Sequence, residues 1–206
     1  EMVVGAPRIE DVIAAFWKFI DGCIIVAHHS PFDMGFLALE FEKSGLVLPT
    51  TPGVCSSLLS RRLIQESKNH RLQTLVDLLG IKKGQAHRAF DDSMACLEVL
   101  LNCVRRIPED ASLADLIRLQ GVSLNWQDFS MAPLWADPLY AQILVAIEER
   151  QPVEVAYAGG SKPGESRFIY PEGVVRSPQG DYVVARDNPI FGEKKRFYLD
   201  RLVAPE

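Results

Sequence analysis

Cys23-Ile24-Ile25-Val26-Ala27-His28-His29-Ser30-Pro31-Phe32-Asp33 is the stretch that decides the fold. Its first five residues are continuously apolar and rich in β-branched side chains, the pattern of a strand buried on both faces of a sheet. Pro31 suits a first helical turn, where its missing N–H costs nothing, and Gly45 suits a stop, so a helix is expected from Pro31 to about Ser44. Asp33 then stands in the first turn after a buried strand. Open α/β folds place their ligands at that carboxyl edge of the sheet.

Upstream of this stretch, Ile9, Val12, Ile13, Phe16 and Ile20 recur at helical spacing and predict an amphipathic helix over Arg8 to Ile20, ended by Gly22. Downstream, Leu72 to Leu79 reads as a short helix closed by Gly80. Arg88 to Arg105 reads as a longer one, with Ala89, Met94, Leu97, Leu100, Leu101 and Val104 available for packing. Helix, strand and further helices make residues 1–108 an α/β unit. Residues 109–137 read as an ordered linker holding a short helix from Ser112 to Leu119. Asp137-Pro138 is a cap with proline in the first turn, opening a helix to about Arg150. The rest of 138–206 is mostly β: Val153 to Tyr157 alternates, and Val174-Val175, Tyr182 to Ala185 and Arg196 to Leu199 are short runs between turn residues.

Composition narrows the function classes. The apolar fraction of 48% and charged fraction of 24% are ordinary for a soluble globular chain, and no apolar run approaches the roughly 20 residues that span a bilayer. No secretory leader is evident, so the expected location is the cytoplasm and no membrane partner is expected. The cysteines Cys23, Cys55, Cys96 and Cys103 include no C-x-x-C pair and read as reduced, packed thiols. The net charge of −5 belongs to the middle of the chain. Residues 109–154 carry 8 acidic and 2 basic side chains, whereas residues 1–108 carry 12 of each. Such a balance is compatible with nucleic acid, because carboxylates can reach phosphates through bound metal ions.

Far from Asp33, His87-Arg88-Ala89-Phe90-Asp91-Asp92 puts a histidine just before a helix and a carboxylate five residues on, inside its first turns. Two-metal hydrolysis of a phosphodiester needs carboxylates to hold the ions and a base of near-neutral pKa to take a proton from water. Asp33, Asp92 and His87 are the right types. Asp91, about 100° around the helix from Asp92, reads as surface, and His70 as an exposed loop residue.

The pair A-H-x-x-x-F-D (Ala27 to Asp33) and H-R-A-x-x-D (His87 to Asp92), with Leu72-Gln73-Thr74-Leu75 and Leu79-Gly80-Ile81 between them, resembles the second and third motifs of the DnaQ-like DEDDh 3'-to-5' exonucleases. The resemblance implies an RNase H-like domain using Mg2+ or Mn2+, with Asp33 and Asp92 as metal ligands and His87 as general base. His28 and Phe32 would shape the site. The family's usual asparagine after the first histidine is His29 here. The family's first motif, an Asp-x-Glu on an early strand some 70 residues before the second-motif aspartate, has no counterpart in this sequence. The chain is therefore expected to be an N-terminally incomplete piece, inactive alone.

Tyr157, Arg167 with Pro171, Gly180 to Ala185 and Arg196 to Arg201 together resemble the WYL domain, a small Sm-like β-barrel, although the eponymous triplet reads Asp181-Tyr182-Val183. That resemblance implies contacts from Arg167, Tyr182, Arg186, Arg196 and Arg201 to nucleic acid or a nucleotide-like ligand. The expected partner is nucleic acid, DNA before RNA, with a polymerase or repair complex as a further one. The alternative is an inactive protein that senses nucleic acid without cleaving it.

Overall fold

A computed structural model of the chain describes residues 4–82, 88–160, 163–177 and 180–205. Two compact units divide it, Glu1–Gln127 and Asp128–Glu206.

In the first unit, α1 (Ile9–Phe19) buries Ile13, and its C-cap Ile20 is buried as well. The strand that follows is shorter and barer than its composition suggests. β1 covers only Val26–Ala27, both half-buried, and Ile24 is exposed. It pairs in parallel with β2 (Val54–Cys55) through Val26↔Val54 and Ala27↔Cys55. Among the described residues no strand lies along its other edge. An apolar run is covered on both faces only where neighbours surround it, and here one edge partner does the pairing.

From β1 the chain enters α2 (Ser30–Lys43), with proline in the first turn and a left-handed Gly45 just past its end. β2 leads directly into α3 (Ser56–Leu63). Helices α4 (Leu72–Leu78), α5 (Ala89–Val104) and α6 (Leu113–Gln120) complete the unit. One core gathers Val54, Leu59, Ile64, Leu75, Val99 and Cys103, while Met34, Ala38 and Phe41 bury the inner face of α2. α5 turns Cys96, Val99 and Cys103 inward, and Met94, Leu97 and Val104, expected to pack, are exposed. The stretch read as a linker is helical, and α6 begins with a reciprocal cap in which Ser112 and Asp115 satisfy each other's backbone N–H groups.

The second unit opens with α7 (Ala132–Ala136) and α8 (Pro138–Glu149). Its five strands, β3 (Val153–Tyr157), β4 (Ser166–Val175), β5 (Tyr182–Arg186), β6 (Lys195–Tyr198) and β7 (Leu202–Val203), form an antiparallel sheet in the order β6-β5-β4-β3-β7. β4 runs ten residues, well beyond the Val174-Val175 pair that the sequence marks. A register shift between Pro171 and Gly173 accommodates a proline that has no N–H to give the ladder. Ile143 of α8 packs with Val155, Ile169, Val183, Phe197 and Leu202 of the sheet.

All four thiols are free, with Cys55, Cys96 and Cys103 buried and Cys23 exposed. Among the described residues no helix is long and apolar enough to cross a membrane. Asp137 Oδ1 accepts from the N–H groups of Leu139 at 2.9 Å and Tyr140 at 3.2 Å and so caps α8. Asp137→Ala leaves both donors without that partner and should lower the stability of the second unit by about 1 kcal/mol, read from urea unfolding.

Candidate active site

A cleft of about 1200 Å3 opens in the first unit between α1, β1 and α2 on one side and α4 and α5 on the other. Phe16, Leu37, Leu72, Val76, Leu97 and Leu100 give it apolar walls, and its charged groups are Asp33, Asp91, Asp92, Arg71 and Lys82. Folding thus brings Asp33 and Asp92, remote in sequence, to one cavity. Asp33 stands in the first turn of α2, where a carboxylate is favoured by the helix dipole. Burial nevertheless pushes its carboxyl up from the ordinary range, opposed by its backbone hydrogen bond and by nearby His29. Asp92 sits in the first turn of α5, its N–H donating to Arg88 O at 2.9 Å. Asp91, read as surface, also lines the cleft and is half-buried, because the cavity mouth spans more of the helix start than one side chain covers. His87 lies outside the described residues.

His28 lines the cleft, and both of its ring nitrogens are engaged by the protein. Its Nε2 is 2.9 Å from the carbonyl oxygen of His70, an acceptor only, so Nε2 carries the proton. Nδ1 then accepts from the hydroxyl of Ser56 at 2.9 Å, and Cys96 Sγ is 3.4 Å from that hydroxyl. Ser57 Oγ donates to the same His70 carbonyl at 3.3 Å, while the His70 ring meets Ser60 Oγ at 3.0 Å. His70 is therefore half-buried and bonded, not a free loop residue. Burial lowers the His28 pKa to about 4, with the neighbouring His29, His70 and Arg61 adding to the effect and the His70 carbonyl opposing it. Phe32 is 78% exposed and is not among the residues lining the cleft.

His29 has φ of 73° and caps α2 in the left-handed region. Asparagine visits that region more readily than most L-residues, and histidine is tolerated there as well.

Donor chemistry at the cleft is that of hard carboxylate oxygens, which suits a divalent ion. Among the described residues, however, no group of three His, Cys, Asp or Glu side chains is placed to enclose one.

In the second unit the predicted contact residues divide by their partners. Arg186 Nε pairs with Glu172 at 2.5 Å and its Nη1 donates to Gly192 O at 2.8 Å, and Lys194 shares Glu172 at 2.7 Å. Arg167 is half-exposed on β4. Arg196 lies over the Tyr182 ring at 5.1 Å and Arg201 over Tyr198 at 5.5 Å, and the two tyrosines face each other across β5 and β6 with ring centres 5.7 Å apart. Tyr198 lies in the Arg196 to Arg201 stretch but is not among the predicted contacts; its pairing with Tyr182 follows from the strand register.

Residues 1–100 match the model of an exonuclease family. Relatives are DNA polymerase III PolC-type proteins. That of Caldanaerobacter subterraneus is 37% identical over 109 residues, covering 52% of this chain and 8% of the relative. The Bacillus cereus protein is 35% identical over 109 residues, 53% and 8% respectively, and that of Halalkalibacterium halodurans 37% over 117 residues, 57% and 8%. The chain spans about 8% of the length of these curated relatives. An exonuclease domain of this family carries an RNase H-like α/β fold, and the α/β architecture of the first unit agrees with it.

Two measurements check this geometry. The unfolded chain takes up a proton at His28 near the ordinary value of 6.5 and the folded chain only near 4. The His28 contribution to stability is thus present above pH 6.5 and lost as pH falls toward 4. Solvent reaches part of the ring, so the loss should amount to about 1 kcal/mol, and His28→Gln should flatten it in urea titrations across that window. Replacing His29 by Asn should keep or raise stability, by up to about 1 kcal/mol, whereas His29→Val should lower it by more.

Proposed function

We propose that the intact protein is a metal-dependent 3'-to-5' exonuclease that hydrolyses phosphodiester bonds at the 3' ends of nucleic acid, single-stranded DNA before RNA. The observation that carries this reading is the convergence of Asp33 and Asp92 on one cleft within the segment that matches the exonuclease family. Asp33 and Asp92 would hold Mg2+ or Mn2+, and His87 would take the proton from the attacking water. A divalent ion held there would lower the pKa of water and offset negative charge on the phosphoryl group. The raised carboxyl of Asp33 supports the assignment, since a half-buried carboxylate whose charge is disfavoured gains most from a cation beside it. Asp33 and Asp92 alone do not close a ligand set, so further carboxylates would complete it.

Similarity to DNA polymerase III proteins supports a setting beside a polymerase, with replication or repair as the context and the cytoplasm as the place. The second unit would act as a WYL module of Sm-like form that engages nucleic acid or a nucleotide-like ligand. The Arg196–Tyr182 and Arg201–Tyr198 stacks support that part, since guanidinium and aromatic faces are what unpaired bases stack on. Phe32, exposed beside Asp33, is assigned no role in the cleft. A second reading, nucleic-acid sensing without cleavage, is favoured by one fact: the described residues offer no closed set of metal ligands.

In the complete protein, His87→Ala or Asp92→Ala should each lower turnover of a 3'-labelled oligonucleotide by about 10²–10⁴-fold with the circular dichroism spectrum unchanged. Equal metal-dependent turnover in parent and both variants would remove these residues from the site.

A further inference from the structure

The cleft holds two cations that the exonuclease reading leaves without a role. Arg71 and Lys82 flank α4, one immediately before its first residue and the other shortly after its end, and both line the cavity that contains Asp33 and Asp92. Both are exposed, and among the described residues neither side chain has a hydrogen-bond or ion-pair partner. Other cations of the unit, Lys18, Lys68 and Arg105 among them, have no such partner among the described residues either; what sets Arg71 and Lys82 apart is that they line the cleft.

The main chain at Arg71 is held on every side while its head group is free. The carbonyl of the preceding His70 accepts from His28 Nε2 and from Ser57 Oγ. The N–H of Arg71 donates to Asn69 Oδ1 at 3.1 Å, and its carbonyl accepts from Leu75 N at 3.1 Å. A long cationic side chain on a fixed root loses less freedom on meeting a ligand than one on a mobile loop. The local charge pattern also has a direction: carboxylates at the starts of α2 and α5, cations at the two ends of α4. A polyanion cannot lie against the carboxylates alone, but it can bridge from a cation-loaded carboxylate site to these two free positive groups.

Resting on the exonuclease reading, we propose that Arg71 and Lys82 form a clamp for the backbone phosphates of a single strand whose 3' end lies at Asp33 and Asp92. The guanidinium of Arg71 grips a phosphate as a fork and Lys82 acts as a point charge. The clamp reads no bases, so it serves any sequence, and the apolar walls of the cleft give the bases a surface to rest on.

The test is equilibrium binding of fluorescent oligo-dT and oligo-rU to the 206-residue chain in calcium buffer, across a salt series. Arg71→Ala should weaken binding about tenfold at 0.1 M salt and reduce the slope of log affinity against log salt by about 0.7, the loss of one phosphate contact to a single strand. Lys82→Ala should do the same, Arg71→Lys should keep the slope, and Lys68→Ala, exposed in the same loop but outside the cleft, should match the parent. The series is repeated in an Arg196→Ala/Arg201→Ala background so that cations of the second unit cannot mask the effect. A parent that binds while Arg71→Ala and Lys82→Ala bind equally well, with the same slope, overturns the clamp and leaves the exonuclease reading standing. A parent that binds neither oligonucleotide overturns the clamp, while the exonuclease reading stands or falls on the turnover of the complete protein. Equal effects on dT and rU place recognition at the phosphates, and loss on only one of them overturns the base- and sugar-blind clamp.

Discussion

A parallel ladder of two residues per strand cannot satisfy its own backbone, and the first unit is organised around that shortfall. Unpaired buried amides and carbonyls each cost free energy comparable to a lost hydrogen bond. Side chains supply what neighbouring strands do not. Ser30 Oγ, fully buried, accepts from Ala27 N–H and donates to the carbonyl of Val54 at 2.6 Å, fastening the end of β1 to β2 at the start of α2. Gln120, buried at the end of α6, accepts from Cys55 N–H at 2.6 Å and donates to Val122 O at 2.8 Å. Ser56 and His28 extend the same knot into the His70 loop. The position of every cleft group on α2 and α4 follows from these few hydroxyls, one amide and one imidazole.

Their chemistry explains which parts of the fold could be read in advance. Helices with punctuation were legible: Pro31 and Gly45 around α2, Gly80 after α4, Asp137-Pro138 before α8. The acid in the first turn after β1 was legible too, because strand, turn and helix have distinct residue grammars. β2 and α3 were not. The buried face of α3 carries Ser56, Ser57 and Ser60 beside Leu59, and apolar periodicity is blind to serines that are buried because histidines and carbonyls satisfy them. On α5 the thiols read as packed, Cys96 and Cys103, do face inward with Val99, whereas the larger Met94, Leu97 and Val104, which apolar periodicity singled out, are exposed. His28, which the resemblance places at the site, does line the cleft, and the fold adds what the sequence cannot show: both ring nitrogens are engaged by Ser56 and the His70 carbonyl.

Charge was legible in amount but not in arrangement. The basic residues of the second unit are all visible in the sequence, yet only the strand register shows that Arg186 and Lys194 neutralise one glutamate while Arg196 and Arg201 cover aromatic rings. Likewise, β4 could not be traced through Pro171 from pattern alone, since a proline ordinarily ends a strand and here occupies a break in register. In both units the sequence announces the residue type and the fold decides whether its polar end is spent inside the protein or offered outward.

The four thiols carry a practical consequence. Burial raises the pKa of Cys96 and pushes that of Cys103 up to about 11, Cys55 is enclosed beside β1, and only Cys23 reaches the surface, in the turn between α1 and β1. Thiolate is the reactive form, so a maleimide dye added to this folded chain meets a single competent attachment point. The molecule thus comes with its own optical handle at the root of the strand that leads into Asp33, placed by nothing more than which cysteines the core had room to hide.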